Sequence, residues 1–247
     1  MARVMNLIWR LDYPLSYSFM DKLGSMRRIV TETVPNYWTK VIDGNILYSY
    51  VADYHNIENG VARDMSVEVQ SMNGQLRWRT GTDLARVLQT EDFRNIDRIV
   101  QNLLKIIDVK EIKRAGVRFQ GMGNFADGKG RGFQRFSKVI TNNVVTGVEN
   151  AVGGDNDDLA IIFTGKTKDG IGYRIQCGPS SQTDFITFFQ QPPGEKELEI
   201  LKLNDFSFDF DLFEFNTSFV EHNLFRWATT KLEKAVEVVA VFEKLAS

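Results

Sequence analysis

Phe206-Ser207-Phe208-Asp209-Phe210-Asp211-Leu212 alternates apolar and polar residues one for one, and this run decides the fold. A period of two puts every second side chain on the same side of an extended chain, so Phe206, Phe208, Phe210 and Leu212 face a core while Ser207, Asp209 and Asp211 face away from it. At Leu212–Phe213 the phase slips by one, and Phe213 and Phe215 continue on the other side. The slip predicts a β-bulge, or a strand that passes from one packing partner to another. Beyond it, Ser218-Phe219-Val220-Glu221 has the spacing of a capping box. Leu224, Trp227, Ala228, Leu232, Ala235, Val236, Val239, Phe242 and Leu245 then recur at helical spacing and predict a long terminal helix.

The same signals recur upstream. Val4–Leu11 reads as a strand ended by Pro14, and Leu15, Phe19, Leu23, Met26, Ile29 and Val30 follow a helical period. Ile46–Tyr54 and Met65–Gln70 read as strands around an Asn59-Gly60 turn; Asn73-Gly74 marks a second turn before a short strand at Gln75–Thr80. From Thr90 a helix is predicted, with Glu91 and Asp92 in its first turn and Phe93, Ile96, Ile99, Val100, Leu103, Leu104 and Ile107 on one face. Ile112–Gln120 is the next strand, and Arg131–Ile140 has no good helical pattern. Asn143–Glu149 and Asp158–Thr164 read as strands, Asp169-Gly170 as a hairpin turn into Ile171–Cys177, and Asp184–Phe189 and Ile200–Phe215 as further extended segments.

Strands follow one another with too few helices between them for a doubly wound parallel sheet. The expectation is an α+β fold: curved, mainly antiparallel sheet with long helices packed on one face. Each half has hairpins and one long amphipathic helix. This suggests a pseudo-repeat of an N-terminal half, residues 1–127, and a C-terminal half, residues 141–247, joined near Gly128–Thr141 or merged into one continuous domain.

Composition narrows the function classes. With 43% hydrophobic residues and 18 Phe, 247 residues suffice for a sizeable core, and only 5 Pro argue against linkers and disorder. Net charge is −2, from 30 basic and 32 acidic residues, so no general affinity for nucleic acid is implied. The single cysteine, Cys177, cannot form an intramolecular disulfide, and Met1–Arg10 is broken by Arg3, Asn6 and Arg10 and reads as a strand and not as a secretion signal. A cytoplasmic protein with no membrane segment is expected.

Five places carry residues suited to chemistry. Gly123 to Lys129 matches the spacing of a phosphate loop, but Gly130 stands where a magnesium-binding Ser or Thr belongs, so a surface loop accounts for the same run. Asp155, Asp157 and Asp158 follow Gly153-Gly154 but lack the later Glu of a calcium loop, and read as a solvated turn. Asp209 and Asp211, two residues apart on a strand, share a face; they suit a metal or acid–base chemistry, or a structural ion pair with an arginine. His55 and His222 are the only histidines, neither stands in a nucleophile motif, and Cys177 reads as a small buried hydrophobe. The stretch 110–138 is the most basic of the chain. Its Arg114, Arg118, Lys129, Arg131 and Arg135, with Phe119, Phe125 and Phe133 for stacking, suit a phosphate-bearing ligand, or else guard a strand edge against strand addition.

Arg114-Ala115-Gly116-Val117-Arg118-Phe119 follows a long helix, Phe206–Phe213 carries its Asp-flanked aromatics, and the terminal helix ends in Val241-Phe242-Glu243-Lys244-Leu245. This order resembles a sporadically distributed family of uncharacterised bacterial proteins of about this length, with an Arg-x-Gly-Leu-Arg-Tyr strand and a late Asp-hydrophobic-Asp strand. The chain departs from that pattern at Phe119-Gln120-Gly121, where the family has Tyr-x-Asn. The resemblance implies no enzyme activity or cofactor, and the family's patchy distribution associates it with mobile elements or phage defence. The leading expectation is therefore a non-enzymatic protein that binds a protein partner within a multi-protein bacterial system, with self-association through the terminal helix also open. A nucleic-acid or nucleotide-phosphate sensor built on the 110–138 residues, and a metal-dependent hydrolase built on Asp209 and Asp211, are the alternatives.

Overall fold

The computed structural model describes every residue except 1, 17, 39, 44–48, 57–59, 127–131, 140–141, 153–158, 190–191, 193, 218–223 and 245–247. The chain begins with strand β1 (Arg3–Asp12), helices α1 (Ser18–Asp21) and α2 (Leu23–Glu32), and strands β2 (Lys40–Asp43), β3 (Ser49–Asn56), β4 (Val61–Glu68) and β5 (Ser71–Asp83). A 3-10 turn (Leu84–Gln89) leads into the long helix α3 (Glu91–Ile106). A second pass starts at β6 (Ile112–Gly123) and continues through α4 (Gly132–Val139), α5 (Asn142–Val152), β7 (Ile161–Lys166), β8 (Gly172–Pro179), α6 (Gln182–Phe189) and α7 (Glu195–Lys202). It ends in β9 (Phe206–Thr217) and the terminal helix α8 (Leu224–Glu243).

The strands form one nine-stranded sheet in the order β2-β3-β4-β5-β1-β6-β9-β8-β7, with every neighbouring pair antiparallel. β1 and β6 lie side by side at its centre. Outward from β1 run β5, β4, β3 and β2; outward from β6 run β9, β8 and β7. Each pass thus starts at the centre, sends out two helices, returns strand by strand to its own first strand, and closes with a long helix.

The α+β class and the two long helices on one face follow from the apolar stripes. α3 buries Phe93, Ile96, Ile99, Val100 and Leu103, and α8 buries Leu224, Ala228, Leu232, Ala235 and Val239, all in one core with Phe206, Phe208 and Phe210 of β9. Each of those phenylalanines, fully buried, contributes about 1.5–3 kcal/mol. Thr90 caps α3 as predicted, its hydroxyl accepting the backbone N–H of Phe93 at 3.4 Å. The start of α8 is fixed by a neighbour: the carboxylate of Asp97, on α3, accepts the N–H of Phe225 at 3.0 Å and so serves as the cap. The predicted capping box at 218–221 lies outside the described residues. On the opposite face, among the described residues, only the short α6 and α7 cover the sheet, over one end, where Phe185, Phe188 and Leu198 close on Met5 and Met122.

Several local expectations are corrected. β9 pairs with β6 and β8 without a register break, so there is no bulge at Leu212–Phe213; Phe213 and Phe215 sit on the polar face, and Glu214 turns to the helix side, where the amine of Lys231 holds it. The sheet's irregularity is instead in β1, between Val4 and Asn6. Asn73-Gly74 is inside β5 and not a turn: the Trp9 ring lies so close that a Cβ at Gly74 would come within 2.9 Å of it, and only glycine keeps the strand straight there. Asp184–Phe189 is helical because Ser181 and Asp184 cap each other: the Ser181 N–H donates to the Asp184 carboxylate at 2.8 Å, and the Asp184 N–H to the Ser181 hydroxyl at 3.3 Å. Glu195–Lys202, rich in Glu, Lys and Leu, is also helical, so the extended run begins only at Phe206. Gly132–Val139 forms a helix anchored by Phe136, which is buried against Phe125 and Phe242. Asn142–Val152 is helical as well; it packs on α4, and the β-preference of its valines gives way to that context.

Candidate functional site

β6 and β9 bring two of the predicted clusters together. Val117 and Phe119 on β6, and Phe208, Phe210 and Leu212 on β9, point into the core, so the alternate residues Arg114, Arg118, Gln120, Asp209 and Asp211 share the opposite face. In register, Arg118 faces Asp211 and Gln120 faces Asp209; on the far side of β9, Arg174 of β8 faces Asp211 and Gln176 faces Asp209. The guanidinium of Arg118 donates to both oxygens of Asp209, with Nε to Oδ1 at 2.6 Å. Gln120 donates to the same carboxylate at 3.2 Å and accepts from the buried Asn6 amide at 2.8 Å. Arg174 donates to Gln176 at 2.7 Å.

The electrostatics differ between the two carboxylates. Asp209 is held by three donors and keeps Arg118 charged: the hydrogen bond to Asp209 raises the guanidinium pKa, against partial burial. Asp211 is partly buried, and that desolvation lifts its pKa above the ordinary carboxylate range; Arg114, Arg118 and Arg174 pull it down, and Asp209 adds a further push upward. No group of three or more His, Cys, Asp or Glu side chains that could hold a metal is present among the described residues. The arrangement is an ion-paired mosaic on an open sheet face, with five arginines (Arg10, Arg77, Arg114, Arg118, Arg174) interleaved with Asp12, Asp64, Asp209 and Asp211.

Of the other predicted residues, Arg135 and Cys177 lie away from this face. Arg135, on α4, stacks over the Phe125 ring at 4.6 Å, beside the aromatic cluster of the helix side. Lys129 and Arg131 with the rest of 127–131 in the glycine-rich run, the Asp155–Asp158 turn and His222 lie outside the described residues, and His55 falls on β3. Cys177 is buried in the core on β8, and burial raises its thiol pKa well above the usual value.

The helix side holds a second feature. Between β7, β8 and β9 below and α8 above runs an apolar groove of about 440 Å³. Phe163, Tyr173, Ile175, Leu212, Val238 and Val241 line it, and its only charged lining residues among those described are Lys231 and Lys234. Lys231 is 5% exposed and donates to Glu214 at 2.8 Å; Trp227 Nε1 donates to the same carboxylate at 3.2 Å. Phe163 is 51% and Val241 62% exposed, although both are large and apolar. β7 is the outermost strand on this side of the sheet. The apolar positions that the sequence offers for a core and a seam on the terminal helix include neither Val238 nor Val241, so they do not point to the groove. The available signal was Ile161-Ile162-Phe163, three apolar residues in a row with no alternation, together with Val238 and Val241 beside the main stripe.

No protein-family model, curated protein or solved structure matches the chain. Among the described residues no helix is long and apolar enough to cross a membrane.

Proposed function

We propose that this protein is a non-enzymatic interaction module that holds a protein partner against β7 and the groove beneath α8. The observation that carries this reading is the exposure of Phe163 and Val241 around a groove lined, among the described residues, almost wholly by apolar side chains. A contiguous apolar patch rimmed by polar residues is costly to leave in water and marks an interaction surface. The resemblance to the sporadically distributed bacterial family agrees with this proposal: its two motif strands are β6 and β9, which pair in the sheet centre, and the motif residues Arg118 and Asp209 bind each other. Those motifs then serve the scaffold, and the partner, a component of a multi-protein bacterial system, engages the other face. Self-association through α8 would use the same groove. The test is co-purification from the native cell with the unaltered chain and with a Phe163→Asp, Val241→Asp variant. A partner kept by the first and lost by the second is expected; an unaltered chain that keeps no partner and stays monomeric counts against the reading.

A second reading concerns the polar face. Arg114 lies over the Phe213 ring at 5.2 Å, and Phe215 beside it is 54% exposed. An arginine and open aromatic rings on a bare sheet suit stacked bases of a single strand, although the nearby carboxylates oppose phosphates. A labelled single-stranded oligonucleotide at low salt distinguishes it: binding that weakens in Arg114→Ala and Phe215→Ala supports this reading, and binding indifferent to both removes it.

A further inference from the structure

The two passes of the fold differ in what covers their outer strands. β4 and β3 of the first pass correspond in order to β8 and β7 of the second, and α3 corresponds to α8. In the first pass the chain covers itself. α2 packs on α3 and buries Met26 and Val30, and the segment after it sets Tyr37 over Arg63 of β4 at 4.7 Å and bonds its hydroxyl to the carbonyl of Asp92 at 3.0 Å. Beyond β3, strand β2 adds one more rung. In the second pass α4 covers β8 only at the end where Phe136 meets Phe242, and α5 packs on α4. Among the described residues, the groove is what this leaves open.

Resting on the partner-binding reading, we propose that the groove takes an amphipathic helix with acidic flanks from a partner protein, in the place α2 takes in the first pass. The length fits: α8 lines the groove from Lys231 to Phe242, about 16 Å at 1.5 Å per residue, and a ten-residue helix like α2 is about 15 Å long. The charge fits as well. Among the described residues no carboxylate lines the groove. Lys231 is engaged by Glu214, whereas Lys234 is half exposed on the rim and pairs with the exposed Glu237 at 3.7 Å. Exposed Lys166 and Lys168 follow at the β7 end. An apolar stripe at helical spacing would sit on Phe163, Tyr173 and Val238, with acids on its flank toward Lys234.

The test places a photo-cross-linking phenylalanine analogue at Phe163, and separately at Val241, in the full chain in its native cells, and sequences the adducts. The expected result is the same partner peptide from both positions, apolar at three- and four-residue spacing with Asp or Glu beside the stripe. Lys234→Glu should lower adduct yield about tenfold, while Lys110→Glu, an exposed charge outside the groove, should leave it unchanged. An adduct with alternating apolar and polar residues would mean strand addition to β7; it would overturn the helix while the partner-binding reading stands. An adduct with a second copy of this chain would overturn the partner protein. Lipid adducts, or no protein adduct at either position, would overturn both.

Discussion

Arg118 lies opposite Asp211 in the strand register yet gives its guanidinium to Asp209, one step along the same face. Two carboxylates at i and i+2 on one strand therefore meet different fates. Asp209 is satisfied by Arg118 and Gln120, and Asp211 carries an uncompensated part of its desolvation.

The first prediction separates them. Asp209→Asn removes a charge-assisted bidentate bond from a pair that is only partly shielded from solvent, and should lower stability by about 1–2 kcal/mol in urea unfolding at neutral pH. Asp211→Asn should do the reverse. Its carboxylate has a raised folded pKa, so the charged form costs stability at neutral pH, and the amide should be as stable as the native chain or more so. As pH falls through the raised pKa toward the ordinary carboxylate value, the native chain takes up its proton and the advantage should vanish. An Asp211→Asn variant less stable than the native chain at neutral pH would contradict this assignment.

A second prediction has the opposite sign. Burial raises the pKa of Glu214, but the hydrogen bond and charge of Lys231, with the indole N–H of Trp227, outweigh it, and the net pKa is lowered. A depressed folded pKa contributes stability above the unfolded value and loses it as pH falls through the folded one. Glu214→Gln should therefore be less stable than the native chain at neutral pH, and the two should converge below the ordinary glutamate range. Thermal melts across that range measure the gap. Lys231→Met is the complementary variant: it removes a nearly buried ammonium together with its desolvation cost, and should be milder than Glu214→Gln, which leaves that ammonium without its anion.

What could be read from the sequence follows from which forces are local. The alternation Phe206 to Leu212 and the stripe of α3 are written in neighbouring residues, so α3 and the body of β9 are legible, although the extended segment read from Ile200 starts six residues too early. Asn142–Val152 did not, because its β-branched residues speak for a strand and only the proximity of α4 decides otherwise. Ser181 and Asp184 did carry a helix signal, a capping box hidden behind Phe185 and Phe188. For the polar face, the sequence held both halves of the Arg118–Asp209 pair as separate candidates 91 residues apart, and only the β6–β9 register joins them. The groove was not legible, since it exists through what fails to cover β7 and β8.

The third prediction tests the sheet centre. A Cβ on Gly121 would land on the carbonyl oxygen of Arg3 and on the Phe208 ring, both fixed by the β1–β6–β9 ladder. Gly121→Ala should cost about 3 kcal/mol or more, or prevent folding. Gly147→Ala provides the contrast: nothing lies within 4 Å of its added methyl, and the residue is exposed on α5, so alanine should gain about 0.5–1 kcal/mol. Equal effects at the two sites would mean that β1 and β6 do not approach as closely as the ladder requires.

The fourth prediction concerns the groove without any partner. An open apolar trough of about 440 Å³ should bind a hydrophobic dye such as anilinonaphthalene sulfonate in the folded state, and the anionic sulfonate should favour the lysine-lined rim. Phe163→Ser with Val241→Ser removes two side chains that are more than half exposed and that contribute little to the core. Dye fluorescence should fall severalfold, while the unfolding midpoint moves by no more than about 0.5 kcal/mol per substitution, as for ordinary surface sites. A large loss of stability would instead mean that Phe163 and Val241 are packed in the folded protein. The surface between β7 and α8 would then be closed by the chain itself and unavailable to a partner.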